Sequence, residues 1–175
     1  MCYRDMDLFL IISFPFAFII HDAEEIFVQH QWVLTHKDGL IRRFPKAKHI
    51  VHHLSGLTTK AFTIAVIEEF VLLIFATVYA IARGPFGAEL WIALFMAFAI
   101  HFFVHIVQWL VIRSYTPGLA TSIMMLPYAY YMISAICATT PCGKLAMLST
   151  IGIVLMIANL IFAHWLGYRF KEKRA

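Results

Sequence analysis

LWIALFMAFAIHFFVHIVQWLVI, residues 90–112, runs for 23 positions without an Asp, Glu, Lys or Arg. At a helical rise of about 1.5 Å per residue the stretch covers the roughly 30 Å of hydrocarbon in a bilayer, so it reads as a membrane helix. Four further apolar stretches, at about 8–34, 58–82, 117–139 and 145–168, have the same character. The chain of 175 residues is 62% hydrophobic and 14% charged, with mean hydropathy +0.79, against roughly 45–50% apolar and about 25% charged in soluble domains. A soluble globular protein is thereby excluded. The expected fold is all-α: a single domain over 1–175, a polytopic membrane bundle of five transmembrane helices. The apolar run at 8–20 has signal-peptide length, but no small-residue cleavage site follows it, and it reads as a membrane helix.

Five crossings place the termini on opposite sides, and the basic residues set the orientation. Lys37, Arg42, Arg43, Lys46, Lys48, Lys60, Arg113, Arg169, Lys171, Lys173 and Arg174 fall on one side, against Arg4, Arg83 and Lys144 on the other. The positive-inside rule puts the N-terminus outside and the C-terminus in the cytoplasm, with 36–57 as a basic cytoplasmic loop. Within that loop KAKHIVHHLSGL reads as a short amphipathic helix along the membrane surface. Gly84-Pro85-Phe86-Gly87 reads as a tight outer turn, and Pro127 as a kink. A net charge of only +4, spread over the flanks of apolar segments, fits a membrane face and excludes nucleic acid. Cys2, Cys137 and Cys142 show no CxxC spacing; Cys137 and Cys142 share the outer end, where a disulfide is one alternative.

Ionisable groups inside these helices carry the functional signal. The first holds His21, Asp22, Glu24 and Glu25, the second Glu68 and Glu69, and the third His101 and His105 with Gln108 one turn on. A carboxylate at mid-membrane costs about 2.5 to 3.5 kcal/mol on insertion scales, so four unpaired glutamates would cost about 12 kcal/mol. No Lys or Arg lies in 8–34, 61–82 or 90–112 to offset them. The remaining partners are protons, imidazolium or metal ions. Measured along each helix from its cytoplasmic end, Glu25 and Glu69 lie about 15 Å deep, His105 about 12 Å and His101 about 18 Å. His21, Glu24 and Glu25 form one helix face by their i, i+3 and i+4 spacing. Ala61, Ala65 and Ala76 on the second segment and Ala97 on the third allow close approach of the polar faces. Inward-facing ligand pairs on separate helices build metal sites in bundles. The expected ligands are His21, Glu24, Glu25, Glu68, Glu69, His101 and His105, for one or two divalent transition-metal ions, iron or zinc.

Other polar residues have two readings each. Asn159 is either a helix–helix hydrogen bond or a neighbour of the ligands; His49, His52 and His53 are either a solvated interfacial patch or a gate at the inner mouth; His164 sits near the inner boundary. Tyr128, Tyr130 and Tyr131 either pack or line a pocket.

The sequence His21-x-x-Glu24-Glu25 in a first membrane helix, with Glu68-Glu69 and His101-x-x-x-His105, resembles the bacterial integral membrane proteins named for an HXXEE motif. The resemblance implies a multi-pass protein of the bacterial inner membrane and stresses His21, Glu24 and Glu25, without naming a reaction. Glu68-Glu69 also partly resembles the double-Glu motif of intramembrane glutamate proteases, but no arginine follows it. The residues point to a metal-dependent membrane enzyme acting on a lipid or other apolar substrate, with Glu68, Glu69 and Gln108 tuning or shuttling protons. The alternative is a proton or metal-ion transporter or channel using the same cluster. Five helices show no inverted repeat of the transporter kind, an objection that a homodimer would weaken.

Overall fold

Proline and glycine punctuation sets the helix boundaries. The computed structural model describes residues 8–170, and over them the chain is helical with no strand. α1 spans Leu8–Arg43, well past the expected end near 34. HKDGLIRR contains a single weak breaker, Gly39, worth about 1 kcal/mol against Ala, so the helix continues. It stops at Pro45, whose ring drives the preceding Phe44 out of the helical region to φ −128 and ψ 71. A 3₁₀ turn at Pro45–Ala47 then leads into α2, Lys48–Gly56. The stretch read as a basic loop is therefore mostly helix, and its amphipathic part is α2, which buries Val51 and exposes His49, Ile50 and His52.

α3, Thr59–Ile81, begins at Thr58, whose hydroxyl accepts from the Ala61 amide at 3.2 Å. The turn after it uses left-handed Arg83 and Phe86 and delivers α4, Gly87–Ile112. α5, Leu119–Thr139, starts after Gly118 at φ 78 and runs through Pro127 without interruption. α6 spans Cys142–Arg169. Four helices, α3 to α6, are long and apolar enough to cross a membrane.

α6 packs on α3 and α4, while α1 lies against α3 and α5. Two glycines make the α6 contacts possible: a Cβ at Gly152 would run into the Ala93 carbonyl, and one at Gly167 into that of Ala61. The core is aromatic. Phe14 of α1 meets Trp91 and Phe95 of α4 edge-on, with ring centroids 5.6 and 5.3 Å apart. At the other end Arg43 donates to the carbonyls of Ile112 (2.6 Å) and Val111 (2.9 Å), satisfying the last turn of α4. An ion pair, Lys144 to Glu89 at 2.9 Å, joins the starts of α6 and α4. Large apolar side chains cover the outside, among them Phe9, Phe16, Phe27, Phe75 and Ile161, as a lipid-facing surface requires.

Asn159 donates to Glu68 at 3.3 Å, the helix–helix hydrogen bond of its first reading. Tyr128 shares a hydrogen bond with Ser13 at 2.9 Å, and Tyr130 and Tyr131 are exposed. Cys137 and Cys142 are free thiols. Cys2, Arg4, Lys171, Lys173 and Arg174 lie outside the described residues.

Candidate metal centre

Helices α1 and α4 bring His21, Glu25, His101 and His105 together. One ligand atom from each lies within 4.8 Å of the others, and among the described residues this is the group with metal-binding composition and spacing. His101 and His105, one turn apart on α4, approach through Nε2 at 2.8 Å, and His105 Nε2 lies 3.4 Å from Glu25 Oε1. The His21 ring stands 5.2 and 5.1 Å from those of His101 and His105. His21 is 0% exposed and its Nε2 has no hydrogen-bond partner. An orphaned imidazole nitrogen in a buried site is costly unless something binds it. Three imidazoles and a carboxylate suit a borderline divalent ion, whose ligand nitrogens at about 2.0–2.1 Å would stand some 3.3 Å apart. The residues fit such an ion.

The middle glutamate of the motif does something different. Residues 113–118 fold back so that α5 begins level with Glu24, and its carboxylate caps that helix. Glu24 Oε2 accepts from the Thr121 amide at 2.7 Å and from its hydroxyl at 2.5 Å; Oε1 accepts from Tyr115 Oη at 2.5 Å and the Ala120 amide at 3.3 Å. A carboxylate at a helix N-terminus satisfies the free amides there and complements the dipole. Burial, and then the bond to Glu24, hold the Tyr115 phenol above its ordinary range, so it remains a donor.

Thr121 connects this cap to the ligands. Its oxygen lies 3.0 Å from His21 Nδ1. Its single proton goes to Glu24 at 2.5 Å in preference to the Gly118 carbonyl at 3.4 Å. The oxygen must then accept from His21 Nδ1–H, which assigns the free lone pair to the unpartnered Nε2 and leaves that nitrogen available to the four-residue group. This is the carboxylate-to-histidine relay that orients metal ligands, with a threonine inserted. Gly118 leaves room for the His105 ring: a Cβ there would lie 2.6 Å from its Cε1.

Glu25 and His101 also face a cavity of about 800 Å³ between α1, α3, α4 and α6, with Asp22 and Glu69 on the same wall. The rest of its lining is mostly apolar, from Phe62 and His164 at one end to Tyr79 and Leu90 at the other. Of the residues read as ligands, Glu24 and Glu68 are held by other partners, Thr121 and Asn159, and Glu69 faces the cavity. Gln108 is exposed on α4, one turn beyond His105. His164 meets His53 of α2 at 3.2 Å, and Tyr168 donates to the His53 carbonyl. His49 and His52 remain on the surface. Tyr115, Gly118 and Thr121 were not legible as site residues, since no spacing in the sequence announces that 113–118 turns inward.

A family model described as protein of unknown function with HXXEE motif matches residues 12–132. No curated protein and no solved structure matches the chain.

Proposed function

We propose that this protein, which belongs to the HXXEE-motif family of proteins of unknown function, is a membrane-embedded metalloenzyme acting on a lipid-like substrate. The observation that carries this reading is the buried group of His21, Glu25, His101 and His105, with an orphaned His21 Nε2, opening onto an apolar cavity. On this reading α1 is a fifth crossing, the N-terminus lies outside, and the basic ends of α1 and α6 face the cytoplasm of a bacterial inner membrane. One ion of zinc or iron fits the four residues.

Such an ion supplies Lewis-acid polarisation of a substrate oxygen. The chain does the rest. His21, His101 and His105 hold it through nitrogen and Glu25 through oxygen, and Glu24 with Thr121 keeps the His21 lone pair turned inward. Glu69 and Asp22, on the cavity wall, are the proton acceptors nearest a substrate lying there. The apolar walls exclude water and admit a hydrocarbon substrate from the bilayer.

Elemental analysis of protein purified in nanodiscs, combined with mass spectrometry of lipids incubated with it, tests this. We expect about one equivalent of transition metal, lost in Glu25→Gln and His105→Ala with helicity retained, and a lipid product that disappears in Glu69→Gln. Wild type without metal after supplementation would overturn the centre. Metal-dependent ion flux in liposomes with no chemical change in any lipid would replace the enzyme with a transit site.

A further inference from the structure

Two glycines decide how α6 crosses the bundle. Gly167 packs against the Ala61 carbonyl of α3, and Gly152 against the Ala93 carbonyl of α4. They stand fifteen residues apart, about 22 Å along the helix, so over that length α6 leans from α3 onto α4. Midway, Asn159 still reaches Glu68 at 3.3 Å. Beyond that bond, toward the α3–α4 turn, α6 and α3 diverge.

The cavity opens along this divergence. Its lining residues on α1 and α4 are buried or half-buried, and the exposed ones all lie on α3 and α6. Leu72, Phe75 and Tyr79, spaced i, i+3 and i+7, form one edge, with Phe75 75% exposed, and Leu155 stands on the other. Side chains that both line a cavity and face outward mark its mouth. This mouth is continuous with the lipid-facing surface, so a molecule enters it sideways from hydrocarbon without crossing water.

From Glu69 up to Tyr79 the lining is apolar, and the Tyr79 hydroxyl is already engaged, donating to the Pro85 carbonyl at 3.2 Å. A polar head group seated in this half would be desolvated with no partner, whereas a hydrocarbon chain loses nothing there. Tyr79 lies beside the α3–α4 turn, and Glu69 is ten residues deeper, about 15 Å, half of the roughly 30 Å hydrocarbon thickness. With C–C bonds of about 1.5 Å, a zigzag chain advances about 1.25 Å per carbon, so a lipid whose ester sits level with the turn brings about its twelfth carbon to the level of Glu69. Glu25 and His101 line the cavity there.

We propose that the cavity takes one acyl chain of an intact bilayer lipid, admitted sideways between α3 and α6, with the head group left beside the α3–α4 turn and the mid-chain carbons against the four-residue group. As a substrate class this rests on the metalloenzyme reading above; as a binding site it rests on the cavity alone. The part of the lipid presented to the centre is then the middle of the chain and not its ester.

The test is photo-crosslinking of the full chain in phosphatidylcholine nanodiscs. The probes are phosphatidylcholines carrying a diazirine about twelve carbons down one chain (far probe) or about four carbons down it (near probe), with adducts mapped by mass spectrometry. The far probe should label residues 22–25 and 65–69, and the near probe residues 75–79. Ala76→Trp, which fills the mouth, should lower the far-probe adducts at 22–25 by about tenfold, the scale of forcing added volume into occupied space. Adducts at the outward-facing Phe16 should stay unchanged. Leu72→Trp, at the exposed edge of the mouth, gives the same comparison if the first variant fails to fold. Adducts on outward-facing residues alone, a reversed pattern with the near probe at 22–25, or cavity adducts that survive both tryptophan variants overturn the proposal. Metal content is measured on the same samples. Far-probe labelling without metal upholds the binding site while removing the metalloenzyme reading, and metal without cavity labelling does the reverse.

Discussion

Replacing Thr121 by Val removes one oxygen and almost no volume, which makes it a clean probe of how the motif works. Glu24 keeps three of its four hydrogen bonds, from Tyr115 and from the amides of Ala120 and Thr121, so the α5 cap survives. His21 Nδ1–H, in a residue 0% exposed, loses its acceptor. An unsatisfied buried donor costs about 1–3 kcal/mol. The ring relieves that cost by moving its proton to Nε2, which closes the lone pair aimed at the ligand group. Removal of such an orienting partner typically weakens metal affinity about 10–100-fold, or about 1.4–2.7 kcal/mol. The assay is chelator competition read by elemental analysis, alongside thermal unfolding in the same detergent. Thr121→Val should lose metal at a chelator concentration that wild type withstands, and Thr121→Ser, which restores the hydroxyl, should recover most of the affinity. Wild-type affinity in Thr121→Val, or equal loss in Thr121→Ser, would refute the relay.

Gly118→Ala places a Cβ at φ 78 and against the His105 ring; we expect about 1–2 kcal/mol of lost stability from the backbone alone, with weaker metal retention, by thermal unfolding and elemental analysis. Because the Tyr115 phenol is raised in the folded state, its contribution is complete below the ordinary tyrosine range near 10 and fades as pH climbs through the folded value. Tyr115→Phe should therefore destabilise the protein at neutral pH by a margin that shrinks in strong alkali, followed by unfolding at stepped pH. Reporter fusions after Phe170 should be active only in the cytoplasm, and activity outside would reverse the orientation.

The helices α3 to α6 were legible because long uncharged runs bounded by Gly and Pro leave few alternatives: 58–82 became Thr59–Ile81, and 90–112 became Gly87–Ile112. The end of α1 was not, since the basic residues that mark a membrane boundary, Lys37 to Arg43, do not break a helix. Charge reports where water begins, whereas helix ends are set by Pro45 and by capping. His21, Glu25, His101 and His105 were among seven expected ligands, with Glu24, Glu68 and Glu69, because i+4 spacing fixes a face and the lack of any Lys or Arg demands a different partner; the structure groups only those four. The separation of Glu24 from Glu25 was beyond sequence reasoning. Adjacent residues point about 100° apart, so one of them faces the ligands and the other whatever packs alongside, and only the inward fold of 113–118 identifies that neighbour as α5.

Arg43 has a further consequence. It clasps α1 to the end of α4, and Phe14 packs edge-on against the stacked Trp91 and Phe95 near the opposite end, so the two helices that carry all four ligand residues are joined above and below them. The four donors are gathered when the chain folds, as in a rigid macrocycle that is closed before its ion arrives. An ion arriving there would meet donors already in place, reaching them from the neighbouring cavity past Glu25 and His101 with no need for α1 and α4 to part.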